Sequence, residues 1–263
     1  MDESHALWRD SVRNFVDREI MPHVEEWESA GRIPRDLYPK AADAGLLGMN
    51  YPEVLGGGGD ETDAFHAIIT SEELSRVGAG GVAAALMIHG IGLPPVMKLG
   101  SELMQKQIVP QVLSGKKQIS LGITEPSGGS DVAKLKTKAV RDGSGWRING
   151  CKTFITGGMT SQWLTTAVRT GEDGMAGISL MLIDLESEGV SRTELPKMGW
   201  WSSDTATIHF DDVFVPADNL IGHENQGFYG IMANFNSERL GMAAQATAFA
   251  RACIEDAAAW AQE

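Results

Sequence analysis

Cysteine is nearly absent from this 263-residue chain, with only Cys151 and Cys253, far apart. Two isolated thiols give neither a disulfide framework nor a zinc spacing, so buried or half-buried thiols of a reducing compartment are expected. Positive charge is also scarce. There are 22 Lys+Arg against 35 Asp+Glu, a formal charge of −13. That balance argues against a nucleic-acid binder and against docking on an anionic membrane. No uninterrupted run reaches the roughly 18 apolar residues of a spanning helix, so no membrane insertion is expected. The first ten residues are acidic and lack an apolar stretch, which fits neither a secretory leader nor a mitochondrial presequence. A cytoplasmic location follows as the expectation. No G-x-G-x-x-G, Walker loop, H-E-x-x-H or G-x-S-x-G occurs. The six histidines are scattered, none is given a role, and no metal site is expected.

What is present is a globular composition, 43% hydrophobic and 22% charged, with length for one large or two small domains. Residues 3–116 have helical period. Trp8, Val12, Phe15, Val16, Ile20, Val24 and Trp27 form one apolar face, bent at Pro22 and stopped at Gly31. The run Gly56–Gly59 predicts an irregular loop. Helices are expected to resume near 60–78, 80–90 and 100–113, with Gly78, Gly80, Gly81, Pro94, Pro95 and Gly100 in the breaks.

Near residue 117 the period changes to two: Ile119, Leu121 and Ile123 alternate. Further strands are predicted over 134–140, 146–148, 163–170, 178–184 and 206–215, with turns at Asp142-Gly143 and Asn149-Gly150. A compact β-barrel or sandwich is expected. From about 224 the period is helical again, with Ile231, Phe235, Met242, Ala246, Phe249, Ile254, Ala257 and Trp260 along one side. No stop signal follows, so the chain is expected to end inside a C-terminal helical domain. The fold class is therefore α+β. An all-helical domain (1–116) precedes a small β-domain (117–222) and the first long helix of a truncated C-terminal domain (223–263).

Four segments carry possible chemistry. Leu121 to Asp131 leaves a strand into a loop of Pro, Gly and small hydroxyls, which can bring N–H and O–H groups to a polar ligand or simply turn the chain. Asn149 to Gly158 sets an aromatic, an aliphatic and a hydroxyl side by side, suited to a planar heterocycle or to a plain hairpin. Met198 to Gly222 contains Phe210-Asp211-Asp212-Val213-Phe214-Val215-Pro216. Phe235 to Leu240 places Glu238 beside Arg239 on a helix, where a solvated surface pair is the simplest alternative.

In order and spacing these segments resemble the acyl-CoA dehydrogenase family over essentially the whole chain. Thr124 to Asp131 matches T-E-P-x-x-G-S-D, Ile148 to Thr156 matches I-N-G-x-K-x-x-I-T, and Phe210 to Pro216 matches F-D-D-V-x-V-P. The resemblance implies FAD-dependent oxidation of an acyl-CoA thioester to a trans-2-enoyl-CoA. The Cα proton would go to a carboxylate and the Cβ hydride to flavin N5. It implies electron-transfer flavoprotein as the partner, and a homotetramer. It assigns cofactor contacts to Leu121, Ile123, Thr124, Gly129, Ser130, Phe154, Ile155 and Thr156. Thr124 would meet the isoalloxazine edge, Thr156 would lie near N5 and Phe154 would stack beside the ring, where many relatives carry Trp. Ser130, Asn236 and Arg239 match acyl-CoA contacts. The base is Glu238 if this chain follows one subgroup, and otherwise lies in the C-terminal domain. Because residues beyond position 263 complete the family's FAD site, weak or no flavin retention by this chain alone is expected. Two alternatives stay open: a truncated non-catalytic partner subunit, and a flavin monooxygenase or oxidase of the same fold.

Overall fold

The computed structural model describes residues 1–59 and 62–263, and in the last helix every side chain but those of Asn234 and Ser237. Among the described residues, seven α-helices come first: α1 (Glu3–Phe15), α2 (Val24–Ala30), α3 (Leu37–Asp43), α4 (Ala64–Ser75), α5 (Gly80–Leu86), α6 (His89–Leu99) and α7 (Glu102–Leu113). The expected apolar face is buried: Val12, Phe15, Val16, Ile20 and Trp27 join one core with Leu37, Leu46, Val82 and Leu86. Around Pro22 the helix passes through wider and then tighter turns over Val16–His23 before α2 resumes. Gly31, at φ +73°, closes α2. The helix expected from residue 60 is α4, capped by Asp63; residues 60 and 61 lie outside the described residues.

One helical expectation is corrected. Pro94 and Pro95 sit inside α6 rather than in a break, because burial of Leu93, Pro95 and Val96 outweighs the missing donors. The glycine loop is irregular as expected, and it is held in place. Gly57 N–H donates to Pro52 O and Gly58 N–H to Gly48 O, and a Cβ on Gly57 would fall 2.0 Å from Tyr51 O. Gly80–Leu99 does reach the length and hydropathy of a spanning helix, with mean hydropathy 1.5. It is nevertheless two helices, 56% buried, against the rest of the protein.

The β-domain holds β1 (Ile119–Gly122), β2 (Lys138–Asp142), β3 (Gly145–Thr156), β4 (Trp163–Arg169), β5 (Ile178–Asp184), β6 (Val190–Glu194), β7 (Thr205–Pro216) and β8 (Leu220–Ile221). Of the two forms expected, barrel or sandwich, the closed barrel is not formed. One sheet runs β6-β7-β3-β2-β4-β5-β8 with β1 attached to β4, and its ends are not joined. β2 and β4 meet at a single pair, Lys138 with Arg169. The two halves share a core, Trp146, Ile148 and Phe210 from one and Leu164, Val168 and Met181 from the other. Asp142-Gly143 turns as expected, but Asn149-Gly150 lies inside β3, at a register shift against β7. Gly150 takes φ +152° there, and a Cβ would come within 2.6 Å of Thr137 Oγ1. Residues 134–137 are not strand, since a short tight turn occupies Val132–Lys134.

α6 lies directly on β1. A Cβ on Gly92 would fall 2.8 Å from Ile119 O and from Ser120 O, and Thr165 Oγ1 donates to Gly92 O at 2.6 Å. The final helix, α8 (Gly227–Trp260), packs on α4 and β5, with Ser71 Oγ donating to Gly241 O at 3.1 Å. Ile231 and Ala248 are buried. The expected apolar side is not covered along its length, since Met242, Ile254 and Trp260 are exposed. Cys253, expected to be at least half-buried, is exposed too.

Candidate functional site

Two of the motif segments meet edge to edge. Ser120 Oγ donates to Thr156 O at 2.7 Å, and Thr153 N–H donates to Thr124 O at 2.9 Å. The loop after β1 therefore runs along the end of β3. Beneath the contact lies a buried ion pair. Lys152 Nζ donates to Glu125 Oε1 at 2.8 Å and to Ile123 O at 3.1 Å. Glu125 also accepts from Lys136 N–H (2.6 Å) and Thr137 N–H (2.8 Å). Burial pushes the Glu125 carboxyl up, but Lys152 and Thr137 more than offset it, and the group stays below its usual range. Burial draws Lys152 down to about 8, against the pull of Glu125, so the ammonium is still charged at neutral pH.

Between Lys152 and Ile155 the register of β3 against β7 shifts. Lys152 and Thr153 both point inward, and Phe154 is thrown out, 70% exposed at φ +57°. A bulky residue in left-handed backbone costs on the order of 1–3 kcal/mol and persists only where neighbours enforce it; such outliers gather at functional sites. Thr124 and Thr156 are half-buried, and among the described residues no group hydrogen-bonds to either hydroxyl. An exposed aromatic and two uncommitted hydroxyls, carried on two segments that meet, fit a planar, hydrogen-bonding ligand such as a flavin. Ile123 and Ile155 are buried, so only their backbone can face a ligand; Leu121 is half-buried, and Gly129 and Ser130 lie exposed on the loop.

Glu238 stands on a different element, α8. Phe235, one turn earlier on the same face, packs into the core that also contains Leu121 and Ile123. Glu238 is half-buried, and desolvation pushes its carboxyl up to about 7, with Arg239 only partly opposing. Arg239 lies over the Phe235 ring at 6.0 Å and donates to Asn236 Oδ1 at 3.2 Å, and both polar residues are exposed.

Sequence reasoning quoted Glu125 and Lys152 but gave them no role; a Lys within a strand carries no mark of burial. It also missed a carboxylate between α1 and α4, where buried Glu73 receives Arg9 at 2.8 Å and Arg13 at 2.9 Å. His5, Asp63 and His66 bring ligand atoms within 4.8 Å of one another. Their geometry is that of helix caps: His5 Nδ1 accepts from Asp2 N–H and His66 Nδ1 from Asp63 N–H.

Three family models match in succession: acyl-CoA dehydrogenase N-terminal domain over residues 2–116, middle domain over 120–213 and C-terminal domain over 225–263. A solved structure of a probable acyl-CoA dehydrogenase from Mycobacterium abscessus is 47% identical, with TM-score 0.97, over 100% of this chain and 70% of that one. An acyl-CoA dehydrogenase from Alternaria alternata is 38% identical over 97% of this chain and 62% of the relative. A glutaryl-CoA dehydrogenase from Mycobacterium smegmatis, solved in complex with FADH2, is 28% identical with TM-score 0.88, over 97% of this chain and 64% of that one. The chain thus spans about three fifths of the length of the curated relatives it matches.

Proposed function

The chain belongs to the acyl-CoA dehydrogenase family, and from that premise we propose that it serves the FAD-dependent α,β-dehydrogenation of an acyl-CoA thioester to a trans-2-enoyl-CoA. The observation that carries the reading is Phe154, an exposed ring held at φ +57° on the strand segment whose Thr153 N–H bonds the Thr124 loop. Bound FAD supplies the hydride acceptor. Phe154 packs against its ring, and Thr124 and Thr156 hydrogen-bond its polar edge. Ser130, Asn236 and Arg239 hold the acyl-CoA; Arg239 brings a fixed positive charge suited to a phosphate. Electron-transfer flavoprotein is the proposed acceptor of the electrons, and a homotetramer the proposed assembly.

Glu238 takes the Cα proton. A base that works near neutrality needs a pKa near the operating pH, and a carboxyl pushed up to about 7 meets that need. Its half-buried setting also keeps water from stabilising the charged form, so the proton is accepted more readily than by a solvated carboxylate. The test is Glu238→Gln. FAD titrated into the variant should bind as in the wild type. Bleaching of the flavin by a panel of straight and branched acyl-CoA thioesters should slow by about 10²–10⁴-fold. Bleaching at the wild-type rate would remove Glu238 from the reaction.

A further inference from the structure

We propose that the buried Glu125–Lys152 ion pair is a positioning device: it sets where the Thr124 loop and the Phe154 ring stand relative to each other, and so the fit of the planar ligand between them. The proposal deepens the flavin reading and rests on it for the ligand's identity.

The pair is an unusual way to fill a core. Lys152 is fully buried and Glu125 is 5% exposed, and taking two charges out of water often costs more than their attraction returns. What the pair provides that an apolar couple would not is directional grip. Lys152 Nζ holds Ile123 O at the end of β1, while Glu125 holds the N–H groups of Lys136 and Thr137 on the approach to β2. The stretch after β1 and the approach to β2 are thereby tied to one point on β3. Phe154 follows two residues later. Its left-handed conformation has to be enforced from both sides. Ile155, 2% exposed, anchors the far side in the sheet core, and Lys152 anchors the near side. The Thr153–Thr124 hydrogen bond sits between the lock and the ring, so its opening reports whether the lock holds.

The test compares Glu125→Gln, which keeps the side-chain shape but removes the charge, with Ile183→Val, a destabilising change elsewhere in the sheet core. In the flavin-free chain, amide exchange at Thr153 should accelerate by about tenfold or more in Glu125→Gln and stay at the wild-type rate in Ile183→Val, for a similar loss in melting temperature. With FAD added, Glu125→Gln should raise the dissociation constant about tenfold and shift the visible flavin band, whereas Ile183→Val should do neither. Wild-type exchange at Thr153 in Glu125→Gln, or the same change in both variants, would overturn the proposal. So would unaltered FAD affinity and spectrum in Glu125→Gln. If the wild-type chain takes up no FAD, the exchange arm alone decides the lock, and the failure then belongs to the cofactor reading.

Discussion

Two glutamates, Glu125 and Glu238, are withdrawn from water in different ways. Glu125 is enclosed, yet Lys152 and two backbone N–H groups keep it ionised and below its usual range. Glu238 is only half-buried, yet with Arg239 as a weak counterweight its carboxyl is pushed up to about 7. Burial alone does not decide the charge state: at Glu125 the Lys152 ammonium and the Thr137 donor outweigh it. The same residue type is a permanent anion that fixes backbone in one place and a proton acceptor near neutrality in the other.

The hardest way to break the contrast is to strip Glu125 of its partner. Lys152→Met should cost about 3–5 kcal/mol of stability, because it strands a buried charge. Urea denaturation measures it, and a loss below about 1 kcal/mol would mean that the carboxyl simply protonates. Charge removal at Glu238 should do the reverse. Its folded pKa lies above the unfolded value, so its stabilising contribution is full below about pH 4.5 and is lost as pH rises through about 7. Glu238→Gln should therefore melt higher than the wild type at pH 8 and equally at pH 4, even as it loses the acyl-CoA reaction. Equal melting at both pH values would show that the carboxyl is solvated. The smallest effect is expected at Phe154. Replacement by Gly should relieve the left-handed backbone and stabilise the fold by roughly 1 kcal/mol while weakening FAD binding. A less stable Phe154→Gly chain would mean that the ring contributes more to the fold than its exposure allows.

Much of the fold was legible because its signals are local. The alternation of Ile119, Leu121 and Ile123 announced β1, and the apolar face through Trp27 announced the first helices. The errors arose where distant contacts override local preference. Asn149-Gly150 looks like a hairpin turn but is a bulge pressed against Thr137. Pro94-Pro95 looks like a break but is carried inside α6 by burial. Val190–Glu194 has no apolar alternation because it is an edge strand with mostly polar side chains, so it left no pattern to find. At the site, motif order pointed to the two segments that meet. That Lys152 is fully buried depends on Glu125, 27 residues earlier, and spacing cannot reveal it.

The absence of a side chain at Gly92 has a mechanical consequence. With α6 seated on the carbonyls of β1 and fastened by Thr165, the helical block and the sheet cannot slide or hinge across that seam without tearing it.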